Sequence, residues 1–248
     1  MSIGLAVFIG VITVFTAFLT SIFGMAGGLV LMGALVVVLP VPDAMILHGV
    51  TQSAANGTRI PMMWRFISWR VTRQFALGGA ASLLLMSLVL FVPDRGVVLL
   101  GIGVLPFLAL TIPAHLVPRV DRGSGALWCG SSCMALTLTA GVAGPLLDLF
   151  FVRSDLDRRE IVATKAACNT ILHLTKTAYF GALVGLAGTS LPGWILIMVV
   201  VLPVFGNWLA RPILDRMHND QFRSWTRLIV LGIGVVYLFQ GLIYVFGS

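Results

Sequence analysis

The sequence predicts an all-α, polytopic membrane protein built from two inverted repeats. Its composition, its recurring apolar stretches and an internal duplication support this fold class. Of the 248 residues, 58% are hydrophobic and 10% are charged, and the mean hydropathy is +1.03, which is typical of chains embedded in lipid. Apolar stretches of about 17 to 25 residues recur, the length that an α-helix needs to cross a bilayer. The connecting loops are short, so no soluble domain is expected.

An internal duplication relates the two halves of the chain. A shift of 117 positions aligns residues 19–29 with residues 136–146, with six identities in eleven positions. The same shift pairs Arg59 with Lys176, so that a polar residue meets a polar residue within an apolar background. Such a match indicates a duplicated structural unit.

Each repeat is expected to contain a helix that ends at a glycine motif, a short helix, a long helix with polar residues and two further apolar helices. In the first repeat, 1–118, the predicted helices are 3–23, 28–41, 43–66, 71–92 and 95–113. In the second repeat, 119–248, they are 125–143, 145–153, 158–186, 191–213 and 222–246. Asp157 and Glu160 are placed for a capping box at the start of the long helix of the second repeat. The first two helices of each repeat would form a re-entrant hairpin, which leaves three transmembrane helices per repeat and therefore opposite orientations.

The arginines indicate the orientation in the membrane. With this topology twelve arginines lie at or near one face, and only Arg95 lies at the other. The positive-inside rule then places the Arg-rich loops in the cytoplasm and both termini outside a bacterial inner membrane. The twelve are Arg65, Arg70, Arg73, Arg119, Arg122, Arg153, Arg158, Arg159, Arg211, Arg216, Arg223 and Arg227. The net charge of +7 is thus attributed to topology, and no nucleic-acid partner is expected.

Two polar stripes run along the long helices. In each repeat, four polar residues are separated by four, four and three positions, so they share one helical face. They are His48, Gln52, Asn56 and Arg59 in the first repeat and Lys165, Asn169, His173 and Lys176 in the second. A charge inside the bilayer costs at least about 2.5 to 3.5 kcal/mol on insertion scales, so such faces normally line a protein or water cavity. We expect Arg59 and Lys176 to line it, whereas Lys165, near its helix end, is expected to extend to the interface.

Glycines at the two predicted helix breaks favour an anion site. Broken helices present backbone N–H groups and positive dipole ends near the membrane midplane, and oxyanions bind such termini. The residues concerned are Gly24, Gly27, Gly28, Gly141 and Gly144, with Pro145 in the first turn of the following helix. The alternative, that these glycines only allow close helix packing, stays open.

The candidate substrate-binding residues combine the stripes with the glycine motifs. They are Gly24, Gly27, Gly28, Thr51, Gln52, Asn56, Arg59, Gly141, Gly144, Pro145, Asn169, His173 and Lys176. Asp148 lies in an apolar context and would either neutralise Lys165 or Lys176 or relay protons with His48 and His173. Both roles are compatible with the sequence.

The duplicated motifs resemble those of the sulfite exporter TauE/SafE family. The motifs are Gly24-Met25-Ala26-Gly27-Gly28 with Thr51-Gln52-Ser53, and Gly141-Val142-Ala143-Gly144-Pro145 with Ala163-Thr164. The resemblance covers nearly the whole chain and implies transport of sulfur oxyanions or organosulfonates driven by an ion gradient. The chain departs from the usual pattern at Ala26 and Ala143, which interrupt the glycine runs, and in lacking a proline shortly after the first run.

The predicted function is secondary transport of a small anion, by alternating access and with coupling to an ion gradient. The substrate would be a sulfur oxyanion or organosulfonate such as sulfite, sulfoacetate or a taurine-like sulfonate. An anion-selective channel or a carrier of a small carboxylate is the alternative. We expect no enzymatic activity because no catalytic motif or paired carboxylates occur in the apolar segments, and we expect no cofactor or metal site. The expected partners are the small anion and the lipid bilayer, and a homodimer is compatible with the sequence.

Overall fold

The computed structural model describes residues 2–23, 26–184, 191–214 and 219–247, and these residues form helices and loops without a strand. The all-α prediction is therefore confirmed for the described chain. The helices are α1 (Ile3–Phe23), α2 (Ala26–Val38), α3 (Val41–Gly57), α4 (Arg59–Met63), α5 (Trp69–Leu88), α6 (Arg95–Thr111), α7 (Gly125–Thr139), α8 (Gly144–Phe151), α9 (Arg158–Val184), α10 (Gly193–Leu214) and α11 (Asn219–Phe246).

The prediction of one continuous helix over 43–66 is wrong. The structure divides this segment into α3, which ends at Gly57, α4, and a 3-10 turn at Trp64–Phe66. Pro61 explains the division, because a proline has no N–H to donate to the carbonyl of Gly57, four residues earlier. The break displaces Arg59 from the straight stripe of α3 into the separate helix α4.

Four helices are long and apolar enough to cross a membrane, judged by length and composition over the described residues. The segments are Ile3–Ile22, Trp69–Leu88, Gly193–Ala210 and Arg227–Phe246. Their outward surfaces carry many exposed aliphatic and phenylalanine side chains, such as Leu84, Ile197 and Phe239. Apolar surface of this extent is stable in contact with lipid but not with water. The protein is therefore a multi-pass membrane protein, whereas the three crossings per repeat and the re-entrant hairpins remain predictions.

The capping box predicted at the start of α9 is confirmed. The backbone N–H of Glu160 donates to Oδ1 of Asp157 at 2.9 Å, and the backbone N–H of Asp157 donates to Oε2 of Glu160 at 3.0 Å. Reciprocal bonds of this kind satisfy amides that have no partner within the helix. The capping box fixes where α9, the helix that carries the second polar stripe, begins.

The helices pack in pairs that are preserved when the two halves of the chain are exchanged. The most extensive pairs are α5 with α7, α3 with α9, α1 with α10 and α6 with α11. By the shift of 117 residues, α1 corresponds to α7 and α5 corresponds to α10, so the first and third pairs are equivalent. The α3–α9 and α6–α11 pairs each join a helix to its own counterpart. The packing thus has the pattern expected of two related halves around a common axis.

Helices α3 and α9 run antiparallel through the centre of the protein. Gly49 of α3 lies against His173 and Thr177 of α9, whereas Gly57, farther along α3, lies nearest Thr170, earlier on α9. Gly49 marks the closest approach, since a Cβ atom there would lie 3.0 Å from the carbonyl oxygen of His173. Small residues at helix crossings permit such packing in membrane proteins.

An ion-pair cluster joins the loop before α7 to the loop before α9. Arg119 pairs with Asp121 at 2.8 Å and also with Asp155, and Arg122 pairs with Asp155 at 2.8 Å. Hydrogen bonding to Arg119 is the main cause that lowers the pKa of Asp121, and bonds to Arg119 and then Arg122 lower the pKa of Asp155. These contacts lie in loops outside the apolar helices and connect two loops that are distant in sequence.

Candidate functional site

A cavity of about 380 Å³ lies where the start of α2, the turn before α8 and the helices α3, α4 and α9 meet. Its wall therefore combines residues of both halves of the chain. The lining residues are Thr20, Gly28, Leu29, His48, Gln52, Asn56, Arg59, Val142, Ala143, Gly144, Pro145, Asp148, Val162, Lys165, Ala166, Asn169 and His173.

Most of the residues predicted from the sequence lie in this wall. The substrate-binding candidates found there are Gly28, Gln52, Asn56, Arg59, Gly144, Pro145, Asn169 and His173, and the proton-coupling candidates are His48, Asp148 and His173. They meet because α3 and α9 pack against each other with their polar faces turned toward the turn before α8. Their contact with a substrate stays a prediction.

Four of the predicted residues do not line the cavity, and one lies outside the described residues. Gly27 packs against α1, where a Cβ atom would meet the carbonyl of Thr16, and the hydroxyl of Thr51 donates to the Leu47 carbonyl at 2.8 Å. Gly141 forms the turn before α8 and has a φ of +79°, a conformation that favours glycine. The fourth is Lys176. Gly24 is outside the described residues.

Lys176 is completely buried behind His48 instead of facing the cavity. Its exposure is 0%, and Nζ lies 2.8 Å from Nδ1 of His48 and 2.9 Å from the carbonyl oxygen of Gly141, to which it donates. Nε2 of His48 lies 3.0 Å from the carbonyl oxygen of Gly28. Because a carbonyl can only accept, Nε2 carries the hydrogen and Nδ1 accepts from Lys176. The sequence could not reveal this inward position, since the spacing places Lys176 and Arg59 equivalently on their stripes.

Lys165 contributes to the wall instead of extending away from it. Its ammonium group forms an ion pair with Asp148 of α8, and both residues line the cavity. Of the roles considered for Asp148, neutralisation of Lys165 therefore has a contact in the structure. The position of Lys165 on the second polar stripe was the signal that could have assigned it to the wall.

Arg59 is the cation of this wall that has no carboxylate partner among the described residues. Its side chain is exposed where it lines the cavity, and no ion pair or hydrogen bond to another described residue satisfies it. A guanidinium group carries five N–H donors in a planar fork and readily binds oxyanions in a bidentate manner. The wall therefore contains donor groups that are free to bind an anion.

His173 supplies a further polar atom without a partner. The residue is 6% exposed and lines the cavity, and Nδ1 is buried with no hydrogen-bond partner in the described structure. Its ring lies edge-to-face with that of His48, with the centroids 5.3 Å apart. A buried polar atom without a partner is costly, so a bound ligand or water is the expected partner.

The N-terminus of α8 also faces the cavity. Ala143, Gly144 and Pro145 line the wall, and no side chain caps this terminus in the described structure. Pro145 occupies the first turn, as predicted, where its missing N–H costs nothing. The free backbone N–H groups and the positive end of the helix dipole favour a negative charge at this point.

The side chains that commonly bind metal ions, His, Cys, Asp and Glu, do not cluster in the described structure. Among residues 2–23, 26–184, 191–214 and 219–247, no group of three His, Cys, Asp or Glu side chains is arranged to hold a metal ion. The buried thiols of Cys129 and Cys133 lie 4.0 Å apart on one face of α7. The polar groups that line the cavity are cationic side chains, imidazoles, amides, the Asp148 carboxylate and the N-terminus of α8.

The chain matches the protein family described as "Sulfite exporter TauE/SafE" over residues 9–237. No curated protein and no solved structure matched the chain. The match extends from within α1 to within α11 and includes every residue that lines the cavity.

Proposed function

Because the chain belongs to the sulfite exporter TauE/SafE family, we propose that it is a secondary transporter of a sulfur oxyanion or organosulfonate. The family is one of membrane transporters, and its name specifies sulfite export. Sulfite, sulfoacetate and taurine-like sulfonates carry the charged oxygen atoms that the cavity donors suit. Transport proceeds by alternating access and is coupled to an ion gradient.

The observation that carries this proposal is the convergence of anion-binding groups in one cavity. Arg59 offers a guanidinium group that has no carboxylate partner in the described chain. His173 offers a ring nitrogen, Nδ1, that has no hydrogen-bond partner there. The uncapped N-terminus of α8 adds backbone donors. Asn56, Gln52 and Asn169 supply neutral amide groups that orient oxygen atoms. Asp148 is already paired with Lys165, so the wall retains a net positive charge.

The two halves, 1–118 and 119–248, are inverted repeats in this proposal. The antiparallel packing of α3 against its counterpart α9 supports opposite orientations, and the exchange-symmetric helix pairs support a duplication. The Arg-rich loops lie in the cytoplasm of a bacterial cell and both termini lie outside. Relative movement of the halves about the cavity provides alternating access.

Binding can be tested with purified protein by calorimetry and thermal shift against sulfite, sulfoacetate, taurine and acetate. We expect sulfite or an organosulfonate to bind, and we expect Arg59→Gln to weaken binding by about 100-fold, since charge-assisted bonds to an oxyanion contribute about 1.5 to 3 kcal/mol. Arg65→Gln is the matched control, because Arg65 is exposed nearby but does not line the cavity. Equal binding by the Arg59 variant and the wild type would contradict the proposed site.

Flux into liposomes separates a carrier from a channel. A carrier saturates with anion concentration and exchanges labelled anion against unlabelled anion across the membrane, whereas a channel gives unsaturable conductance. Selective flux of acetate without flux of sulfur anions would favour the carboxylate alternative. Neither result depends on the direction of physiological transport.

A further inference from the structure

A hydrogen-bonded chain joins the two glycine-linked breaks of the protein. It runs from the carbonyl of Gly28, at the start of α2, through both ring nitrogens of His48 to Nζ of Lys176, and ends at the carbonyl of Gly141, before α8. The two carbonyls belong to different halves of the chain. One amine and one imidazole therefore fix the relative position of the segments that form opposite sides of the cavity.

The number of acceptors around Lys176 matches a neutral amine. Nζ has two acceptors in the described part of the chain, His48 Nδ1 and the Gly141 carbonyl, and no carboxylate pairs with it there. A neutral amine has two N–H groups, which these acceptors satisfy, whereas an ammonium group has a third that would lack a protein partner. An unpaired buried charge is strongly unfavourable, so binding a proton at this site favours a rearrangement.

The proton has a route from the cavity to Lys176. His48 lines the cavity and contacts Nζ, and His173 also lines it, with its ring centroid 5.3 Å from that of His48 and with a buried Nδ1 that has no partner in the described structure. The charged residues in the described lining of the cavity are Arg59 of α4, Lys165 of α9 and Asp148 of α8, the last two being paired with each other. The imidazoles are thus the titratable groups between cavity water and the amine.

We propose that Lys176 is the proton-binding residue that couples anion transport to a proton gradient. One proton leaves a hydronium ion or an imidazolium in the cavity and adds to the Nζ lone pair, which leaves water or neutral imidazole and forms the ammonium. The third N–H of the ammonium group then disturbs the hydrogen bonds that connect the two halves through His48 and Lys176. The ammonium also adds a positive charge beside the anion site. Anion and proton favour each other's binding. The inference rests on the proposed transport function, but it assigns Lys176 to the proton and not to the substrate.

The protonation of Lys176 can be observed without any anion. The chain has only two lysines, Lys165 and Lys176, so protein labelled with ¹³C at lysine Cε gives two side-chain NMR signals, and Lys165→Gln identifies them. We expect the Lys176 signal to change with pH over the range used for the flux assay. A Lys176 signal that remains unchanged over this range overturns the inference, whatever the outcome for anion binding.

Transport by Lys176→Gln provides the second test. At a pH at which Lys176 is neutral in wild type, we expect this variant to bind the anion within about threefold of wild type and to retain exchange of labelled anion. A pH gradient should drive accumulation in wild-type liposomes but not in those that contain the variant. Accumulation by the variant overturns the inference, and so does a loss of binding as large as that of Arg59→Gln, which would make Lys176 a substrate ligand. If wild type binds no anion while Lys176 titrates, the proposed function fails and the proton site stands.

Discussion

The two ends of the α3–α9 contact differ although the sequence makes them equivalent. The shift of 117 residues pairs His48 with Lys165 and Arg59 with Lys176, so a contact between His48 and Lys176 has its counterpart in one between Lys165 and Arg59. At the closed corner, His48 and Lys176 are hydrogen-bonded at 2.8 Å. At the open corner, Lys165 and Arg59 both line the cavity.

The difference between the corners follows from the available hydrogen-bond acceptors. Imidazole can accept a hydrogen bond from an amine, whereas lysine and arginine have only donors. Lys165 therefore pairs with Asp148, and Arg59 has no ion-pair partner in the described chain. With a histidine in one repeat and a lysine at the equivalent position of the other, one end of the α3–α9 contact is closed by a hydrogen bond and the other end lines the cavity.

The largest effect should come from removing the basic side chain at each corner in turn. Lys176→Met leaves His48 Nδ1 and the Gly141 carbonyl without their buried donor, which costs about 1 to 3 kcal/mol for each group. Arg59→Met removes an exposed side chain that has no partner in the described structure, so its stability should change by about 0.5 kcal/mol or less. Thermal unfolding in detergent measures both, and equal losses would show that the corners are not different.

The two glycines of α3 test the same contrast through packing. A Cβ atom at Gly49, beside the closed corner, would lie 3.0 Å from the His173 carbonyl and against the hydroxyl of Thr177, so Gly49→Ala should cost about 1 to 3 kcal/mol. At Gly57 the nearest atom of a neighbouring element would be 3.8 Å away, in ordinary contact, so Gly57→Ala should be neutral or slightly stabilising. Chemical or thermal unfolding of the two variants gives the comparison. A destabilised Gly57→Ala protein would indicate that the open corner is as tightly packed.

Substitution of Asp148 tests how the net charge of the open corner affects anion affinity. Asp148→Asn removes the partner of Lys165 and raises the net charge of the wall by one, so anion affinity at low salt should increase by about tenfold. The increase should decline as salt screens the charge. The double variant Asp148→Asn with Lys165→Gln restores the net charge and serves as the control. Calorimetric titration with the bound anion measures both, and weaker binding by the single variant would exclude this electrostatic role.

The smallest effect is expected in the loop cluster, which contacts neither corner. Bonds to Arg119 lower the pKa of Asp121 and Asp155 in the folded protein, so their stabilisation is present at neutral pH, above the ordinary aspartate pKa. It is lost as the pH falls through the lowered values of the folded state. Asp155→Asn should therefore reduce the unfolding temperature slightly at neutral pH, and its difference from wild type should vanish in acid. A difference independent of pH would attribute the effect to another cause.

Much of the fold could be predicted from the sequence because lipid imposes strong local constraints. An apolar helix must be long enough to span, and backbone polar groups must be satisfied inside it. The predicted range 3–23 agrees with α1, and the start at Arg158 follows from its capping box. The prediction of one helix over 43–66 was wrong because it relied on the continuous spacing of the polar residues. Pro61 cannot donate a hydrogen bond to the carbonyl of Gly57, and the helix is divided there.

The candidate site was predictable only in part. Periodicity placed Gln52, Asn56, Asn169 and His173 on faces that could meet, and all four line the cavity. It could not predict that Lys176 is buried whereas Arg59 lines the cavity. The spacing within a helix shows which residues share a face, but not which element packs against that face. For the same reason it could not identify Asp148 as the partner of Lys165.

Hydrophobic length and helical period are local properties, so the amino-acid sequence is sufficient to identify a helical membrane protein with duplicated polar stripes. Which stripe positions contact each other and which remain accessible depends on the acceptors presented by a different helix, and is therefore set by the packing of the helices. His48 bonded to Lys176, and Asp148 bonded to Lys165, are contacts between residues distant in the chain. They determine that the Lys176 amine is buried, whereas Lys165 and Arg59 line the cavity.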